Sequence, residues 1–353
     1  MKNLFLVYST YQILLSYAIA LENKSDKNIL IVCEDTEEIK KFVDLLQQIF
    51  PSQNIQIRYL ASTRKMNNIK AYFVKKRNLK RIGEIVRACG EVDKFFYSCE
   101  WKVYTTYASY LLRQQVAKPS CFYIDDGAGT YMQRAQKLKT KNFIEKLGDT
   151  IAYGAWHHSF ERQGELNQNT TICSIFPELL PSFYDGQGKF QVSVAPLFAS
   201  MDKKKFQNLL AEIFQGNAPD VLIALDDATR CTEGYLSSIK QAIGGVVGED
   251  CRVAIKRHPV DVGNTNLTEK LELFGDFDDL PIHLPIELYY LYFSESLKVV
   301  VGGFSTAIIT ARWLVPQAKV VCTFDARSLE TVENSQLLLE VFKSLGVEIN
   351  CID

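Results

Sequence analysis

Residues 4–33 read LFLVYSTYQILLSYAIALENKSDKNILIVC, and this stretch sets the architecture that the rest of the chain repeats. Apolar runs at 4–8 and 28–33 flank a longer amphipathic segment at 11–21. Short apolar runs bounded by polar turns predict buried strands, whereas the longer periodic run predicts a helix. A strand, a helix and a second strand form the unit from which parallel sheets with covering helices are built.

A signal peptide is the alternative interpretation of residues 4–21, which carry no charge and follow Lys2. Four polar residues interrupt the apolar run, namely Ser9, Thr10, Gln12 and Ser16. These interruptions favour a buried strand and helix over a cleaved leader. No other stretch approaches the ~20 apolar residues that span a bilayer.

The composition is that of a soluble globular protein with about two domains. The 353 residues include 40 Lys and Arg against 41 Asp and Glu, a formal charge of −1, and 47% are hydrophobic. At roughly 150 residues per domain, two domains each have room for a core. The balanced charge excludes a generally basic protein, so no nucleic-acid partner is expected. Nine scattered cysteines without a CxxC pair predict a cytoplasmic location.

Strands and helices alternate along most of the chain. Strands are predicted at 28–33, 55–60, 94–98, 121–124, 221–225, 252–256, 298–301 and 319–323, and helices at 36–49, 65–89, 103–115, 234–243, 305–314 and 330–345. Prolines and glycines at 153–193 indicate a linker or a short β excursion. We therefore predict an α/β fold of two Rossmann-like domains, 1–175 and 190–353, that face each other across a cleft.

Three loops that follow predicted strands carry candidate chemistry, because ligands of open parallel sheets bind beyond the carboxyl ends of strands. The first contains Asp125, Asp126 and Gly127. A carboxylate there can act as a general base on a sugar hydroxyl, and the glycine frees the backbone beside it. Capping of the following helix is an equally weighted alternative, since Asp favours helix N-termini.

The second loop is Lys256-Arg257-His258-Pro259. An imidazole among cations suits an anionic, phosphate-bearing ligand, and the proline fixes the turn. A packing or hydrogen-bonding role is the alternative for His258. None of the four histidines has a carboxylate partner at a metal-ligand spacing such as HExxH, so no metal site is predicted.

The third loop, residues 302–307, reads GGFSTA and precedes a predicted helix. Gly303, Ser305 and Thr306 offer free N–H groups and hydroxyls at a helix N-terminus, which favours an anion. Ordinary N-capping by Ser305 is compatible with this role. The loop also approximates a hydrolase nucleophile elbow, but that fold places its histidine after the serine, and all four histidines precede Ser305.

Two other acidic motifs need to be weighed. Asp226 and Asp227 follow the strand predicted at 221–225, so either can serve as the base in place of Asp126. Residues 276–278 read DFD, a form that binds metal-nucleotide complexes in some transferases, but no strand is predicted before them and a solvated loop is favoured. Neither a GxGxxG after the first strand nor a GxxxxGK[ST] occurs.

Together, an acid-acid-Gly loop, a His-Pro loop and a Ser/Thr loop in this order resemble the motif set of bacterial sialyltransferases. In particular, the chain resembles the lipooligosaccharide sialyltransferase family (glycosyltransferase family 52), whose motifs bacterial polysialyltransferases share. The Tyr11-Gln12 step also resembles that family's opening helix. The resemblance implies a GT-B fold and inverting, metal-independent transfer from CMP-sialic acid to a terminal sugar, galactose in the first instance, of a lipooligosaccharide or capsule glycan.

The resemblance also implies roles for single residues. Asp126 would deprotonate the acceptor hydroxyl, and His258 would meet the CMP phosphate. The other donor-binding residues would be Lys256, Pro259, Gly303, Ser305, Thr306 and, at the cytidine ribose, Glu287; the supporting residues would be Asp125, Gly127, Asp226 and Asp227. Where the family often has two serines, this chain has Ser305 and Thr306, which keeps both hydroxyls.

Three function classes therefore compete. The first is a cofactor-free inverting sialyltransferase acting on a glycan or glycolipid. A two-domain glycosyltransferase that uses a UDP- or GDP-sugar is the second, and a non-catalytic two-lobed binding protein is the third. The acceptor, the linkage, single or repeated transfer and the oligomeric state, a homodimer included, stay open.

Residues 64–87 contain nine basic residues and one acid, Glu84. A solvated helix face is one interpretation. The other is a patch for anionic membrane lipid, at the cytoplasmic face of the inner membrane, or for an anionic glycan acceptor.

Overall fold

A computed structural model describes residues 1–64, 66–132, 150–154, 156–157, 170–214, 218–244, 251–261, 265–325 and 335–352. Residue contacts divide them into two compact units. The first unit comprises Met1–Asp126 and the described residues at 150–201, and the second comprises 127–132 and the described residues from 202 onward. Residues 190–201 lie in the first unit, whereas the predicted C-terminal domain begins at residue 190.

The first unit is built on a seven-stranded parallel sheet. Its strands are β1 (Lys2–Val7), β2 (Lys27–Val32), β3 (Ile55–Tyr59), β4 (Lys94–Tyr97), β5 (Ser120–Ile124), β6 (Thr171–Ser174) and β7 (Gly188–Gln191). They lie in the order β3-β2-β1-β4-β5-β6-β7, all parallel. Such a sheet is buried on both faces, which explains the nearly continuous apolar runs in β1 and β4.

The second unit repeats this plan with six parallel strands. These are β8 (Val221–Ala224), β9 (Val253–Lys256), β10 (Asp278–Leu280), β11 (Val299–Gly302), β12 (Lys319–Asp325) and β13 (Glu348–Ile352). Their order is β10-β9-β8-β11-β12-β13. Its core includes the apolar side chains of β8 and β11 and those of the helix that follows β8.

The helices of the described residues are α1 (Thr10–Glu22), α2 (Glu37–Ile49), α3 (Asn68–Cys89), α4 (Val103–Leu112), α5 (Ala128–Tyr131), α6 (Ala195–Ser200), α7 (Lys203–Ile213), α8 (Glu233–Gly244), α9 (Thr265–Leu271), α10 (Ile286–Tyr292), α11 (Thr306–Leu314) and α12 (Ser335–Ser344). The sequence predicts α1 as amphipathic, but every residue from Tyr11 to Leu21 is buried. The reason is that α1 packs on β1 and β2 and also against α2 and α6. None of these helices combines the length and apolar character of a membrane span.

The prediction of two Rossmann-like α/β units is confirmed, and the main differences concern short strands. Within 153–193, the β excursion consists of β6 and β7, which extend the first sheet. The DFD motif was predicted as a solvated loop, but Asp278 begins β10, an edge strand of three residues. Strands this short, with glycines or acids in them, leave little apolar periodicity in the sequence.

Candidate functional site

Each sheet reverses its strand order at one point, and that point indicates where ligands bind. The reversal falls between β1 and β4 in the first sheet and between β8 and β11 in the second. Open α/β sheets bind ligands beyond the carboxyl ends of the strands at such a point. The loops that follow these strands, with those after the neighbouring β5 and β9, carry most of the residues predicted from the sequence.

In the first unit, Asp125 and Asp126 directly follow β5. The side chain of Asp125 is fully buried, whereas Asp126 is only partly buried. Asp126 Oδ1 accepts a short hydrogen bond from Gln12 Nε2, across 114 residues of sequence. Of the two acids, Asp126 is therefore the one that a substrate can reach.

The amide of Gln12 has its orientation fixed by its own oxygen. Oε1 accepts hydrogen bonds from the backbone N–H groups of Tyr8 (2.8 Å) and Ser9 (3.2 Å) and from the Ser98 hydroxyl (2.8 Å). Gln12 also closes the capping box that begins α1, with Ser9 as the N-cap. Because Oε1 faces these donors, Nε2 must face Asp126 and the Cys99 sulfur (3.6 Å).

Other buried titratable groups surround the acid pair. Glu100, which follows β4, is 1% exposed. Burial, reinforced by the charge of Asp126, raises the pKa of Cys99 to about 12. Burial, with added contributions from Asp125, Glu100 and Asp126, also raises the pKa of Tyr184 far above its ordinary value. The thiol and the phenol stay protonated at neutral pH, so the carboxylates are left as the groups able to accept a proton.

In the second unit, the loop between β11 and α11 approaches the neighbouring strand closely. A Cβ added to Gly303 would lie 2.3 Å from Asp226 Oδ2, and one added to Gly302 would lie 2.8 Å from the Ala224 carbonyl oxygen. A side chain at position 302 would therefore collide with the strand backbone, and one at position 303 would displace the Asp226 carboxylate. Ser305 is the N-cap residue of α11, yet its side chain makes no capping hydrogen bond. The hydroxyl and the first N–H groups of the helix thus form a position suited to an anion.

The pKa values of the adjacent residues Asp226 and Asp227 are shifted in opposite directions. Burial raises the pKa of Asp226 from 3.8 to about 6, with Asp227 raising it further and Arg230 opposing the shift. Asp227 accepts hydrogen bonds from the Thr229 hydroxyl and from the Thr229 backbone N–H at 3.0 Å, which hold its pKa below the ordinary value. Asp226 is therefore the titrating member of this pair, and Asp227 shapes the turn.

His258 is accessible to solvent and lies in the loop after β9. Its Nδ1 accepts a hydrogen bond from the Val260 backbone N–H at 3.4 Å, which leaves Nε2 to carry the proton of the neutral ring. Partial desolvation lowers its pKa despite the opposing charges of Asp261 and Asp227. Buried Asp261 accepts the Ala228 N–H with both carboxylate oxygens, at 3.1 Å, and so joins the loops after β8 and β9.

Lys256 and Glu287 form a second buried group under the His-Pro loop. Lys256 Nζ donates to the carbonyl oxygens of Arg257 (2.9 Å) and Ile282 (3.1 Å), and burial lowers its pKa to about 8 although Glu287 opposes the shift. Burial raises the pKa of Glu287, partly offset by Lys256. Arg257 is bound to Asp279 through two nitrogens (2.7 and 3.2 Å). Lys256 and Arg257 therefore hold the loop in shape.

Within the second unit, Thr306 is joined to the residues after the acid pair. Its Oγ1 accepts a hydrogen bond from the Ala128 backbone N–H at 3.0 Å. Gly127 has φ +78°, and a Cβ there would lie 2.3 Å from Thr306 Oγ1. The glycine of the acid-acid-Gly loop is therefore required by its backbone conformation and by the space that Thr306 fills.

Three features were not predicted from the sequence: the hydrogen bond from Gln12 to Asp126, the burial of Glu100, and the hydrogen bonds from Ala228 to Asp261. The first and the third join segments distant in sequence, and the second depends on packing that no local pattern encodes; only the Ser-x-x-Gln spacing at the start of α1 gives a local signal. The roles assigned to the predicted residues stay predictions. Among the described residues, no three His, Cys, Asp or Glu side chains group as a metal site would require.

Comparison with known proteins shows the fold. No family model matches the chain, and no curated protein matches its sequence. An α/β-galactoside α-2,3-sialyltransferase from Photobacterium phosphoreum superimposes with a TM-score of 0.57, covering 99% of this chain and 98% of that one at 11% identity. UDP-GlcNAc 2-epimerase from Methanocaldococcus jannaschii gives 0.54, with 97% and 92% covered at 12% identity. Medicago truncatula UGT71G1, complexed with UDP-glucose, gives 0.51, with 99% and 84% covered at 11% identity. The two parallel-sheet units are thus of the GT-B type.

Proposed function

We propose that this chain is a glycosyltransferase whose second unit binds a nucleotide-sugar donor and whose Asp126 activates the acceptor hydroxyl. The observation that carries the proposal is the loop group after β8, β9 and β11, located where the strand order reverses. There Gly303 has no side chain and lies directly beside the Asp226 carboxylate. The Ser305 hydroxyl makes no capping hydrogen bond. Nucleotide-sugar enzymes among the solved structures of this fold support the same conclusion.

The donor phosphate is proposed to bind at the start of α11, near Ser305. As the bond between the anomeric carbon and the phosphate oxygen breaks, its electron pair moves to that oxygen. The Ser305 hydroxyl, the helix N–H groups and His258 Nε2–H are hydrogen-bond donors that stabilise this charge. Lys256 balances the charge of buried Glu287, which we propose as the acceptor of a ribose hydroxyl.

The acceptor is proposed to be activated by Asp126. Its carboxylate takes the proton of the sugar hydroxyl as that oxygen forms a bond to the anomeric carbon, on the face opposite the leaving phosphate, which inverts the configuration. Gln12 keeps the carboxylate oriented throughout.

The finer proposal is that the donor is CMP-sialic acid and the acceptor a terminal sugar, such as galactose, of a bacterial surface glycan. The three-loop motif set and the sialyltransferase among the fold neighbours support it. CMP leaves as a monophosphate, with less charge than a nucleoside diphosphate. Hydrogen-bond donors and an imidazole therefore suffice for the leaving group, and we propose that no metal is needed.

Calorimetric titration with CMP, UDP and GDP tests the donor. We expect CMP to bind, and His258→Ala and Ser305→Ala each to weaken binding about tenfold, the value of a hydrogen bond to a charged group. Ser296→Ala, which removes a hydroxyl that donates to the Phe293 carbonyl oxygen, should leave binding unchanged. Tighter binding of UDP or GDP than of CMP would contradict CMP-sialic acid as the donor. If none of the three nucleotides binds, the proposed donor site is contradicted.

A further inference from the structure

The long helix α3 extends beyond the body of the first unit. Its buried residues are Asn78, Leu79, Ile82, Gly83, Val86 and Cys89, so burial begins only at the eleventh of its 22 residues. Asn78 anchors the start of this buried part, since its amide donates to the Ala61 carbonyl oxygen and the Tyr104 hydroxyl at 2.8 Å each. Residues 68–77 bury no side chain. At 1.5 Å per residue they form roughly 15 Å of helix that core packing does not explain.

The extended part of α3 exposes large apolar side chains. Ile69 is 72% exposed, Phe73 67% and Tyr72 38%, and Met66 just before the helix is 40% exposed. The three helical residues are spaced at i, i+3 and i+4, so they share one face. An exposed apolar group of this kind marks a surface that contacts another phase or molecule.

Cations continue the same helix face. Lys76 follows Ile69 by seven residues and Lys80 by eleven, which keeps both on the Ile69 face. Lys76 Nζ lies 5.6 Å from the centre of the Tyr72 ring and 5.8 Å from that of Tyr153. Residues 64–87 contain nine basic residues and a single acid, Glu84. An apolar tip that runs into cations is the pattern of a helix at the interface of an anionic bilayer.

We propose that α3 docks the first unit on an anionic lipid bilayer, with Ile69, Tyr72 and Phe73 in the interface and the cations at the headgroups. The alternative occupant is a glycan. It would bind in a groove of about 820 Å³ beside α3, which is lined by Lys76, Lys80 and Tyr107 among others. The bilayer is favoured because Ile69 and Phe73 are large, exposed side chains that carry no polar group and lie next to cations, a combination that suits lipid chains below anionic headgroups. This inference is independent of the proposed enzymatic function.

Co-sedimentation with phosphatidylglycerol vesicles, against phosphatidylcholine vesicles, tests the proposal. The wild-type chain should bind only the anionic vesicles. Ile69→Ser with Phe73→Ser should weaken binding by about tenfold or more, and Lys76→Ala with Lys80→Ala by about fivefold per charge. Two matched controls away from α3 should bind as wild type: Leu337→Ser, at a 40% exposed apolar residue on α12, and Lys204→Ala with Lys205→Ala on α7.

A second measurement follows insertion directly. In Phe73→Trp, the added indole fluorescence should shift to the blue with phosphatidylglycerol vesicles. Wild-type binding that survives both substitution pairs, absence of vesicle binding, or an unshifted indole would overturn the proposal. An anionic oligosaccharide that binds the wild type, and loses affinity in the lysine pair alone, would assign the face to a glycan and overturn it as well.

Discussion

The amide of Gln12 serves the fold and the acid site through different atoms. Its oxygen accepts the Ser9 N–H and so closes the capping box of α1, while its nitrogen donates to Asp126. One residue therefore ties the orientation of the proposed base to the start of the first helix. We class Gln12 as a positioning residue, because it acts through Asp126.

Gln12→Glu separates these two functions. Glu also suits the capping position, so α1 should be retained, but a carboxylate oxygen then faces Asp126. Two adjacent carboxylates ionise less readily, so the acid limb of the kcat/KM–pH profile should move to higher pH and activity at pH 6 should fall about tenfold or more. Thr36→Ala, which removes only the cap of α2, should lower stability and leave the profile unchanged. An unshifted profile in Gln12→Glu would remove the positioning role.

Asp226 gives the second unit a pH-dependent stability. Its folded pKa of about 6 lies above the ordinary 3.8, so between these values the folded protein holds a proton that the unfolded chain has lost. The contribution of Asp226 to stability therefore falls as pH rises from about 4 to about 6 and stays unfavourable above that.

Asp226→Asn should remove this cost. The variant should exceed wild type in unfolding free energy by about 2–3 kcal/mol at pH 7, with the difference vanishing near pH 4. Urea unfolding at both pH values measures it. Equal stability of the two proteins at pH 7 would show that the carboxyl is not perturbed as described.

The loop between β11 and α11 forms a candidate binding position because it lacks two common features, side chains at residues 302 and 303 and a capping hydrogen bond from Ser305. Two glycines let the loop lie against β8, and a serine occupies the N-cap without closing it. In most helices the N-cap side chain accepts a hydrogen bond from one of the first N–H groups; the Ser305 side chain makes no such bond, which leaves its hydroxyl for a phosphate.

Gly303→Ala tests that packing. The new Cβ would overlap the Asp226 carboxylate, so the loop or the acid must move, at a cost of about 1–3 kcal/mol in stability and with a loss of nucleotide affinity. Thermal unfolding and titration with CMP measure the two effects. Gly244→Ala, at the end of α8 with open space around it, is the control and should change neither. A Gly303→Ala protein that binds CMP normally would exclude this loop from the donor site.

Among the secondary-structure elements, the apolar strands were predicted from the sequence and the short polar strands were not. Strands such as β8, with four buried apolar residues, and β11, with three valines and a glycine, are evident from their short apolar runs. The short strands β7 and β10 are not, because they gain their strand conformation from a neighbouring ladder and not from their own pattern. The exposure of Ile69 and Phe73 near the start of α3 was also not predicted. The number of charges in a segment does not show whether its apolar side chains pack against a core.

For the whole molecule, the regular alternation of strands and helices was sufficient to predict two Rossmann-like units. The sequence also identified the loops at the strand ends where candidate residues lie. It did not pair them: Gln12 with Asp126, Asp261 with Ala228 and Gly303 with Asp226 are contacts between distant segments. Such pairs depend on strand order, which local patterns do not encode.

The central claim, a base at Asp126 acting on an acceptor of CMP-sialic acid, is tested most directly by transfer of labelled sialic acid to a terminal galactoside. Wild type should transfer it, and Asp126→Asn should lose about 10²–10⁴ in kcat while it binds CMP as wild type does. Asp226→Asn should lose less than Asp126→Asn. Transfer by Asp126→Asn at the wild-type rate, or a wild-type protein that transfers no sialic acid, would contradict the account.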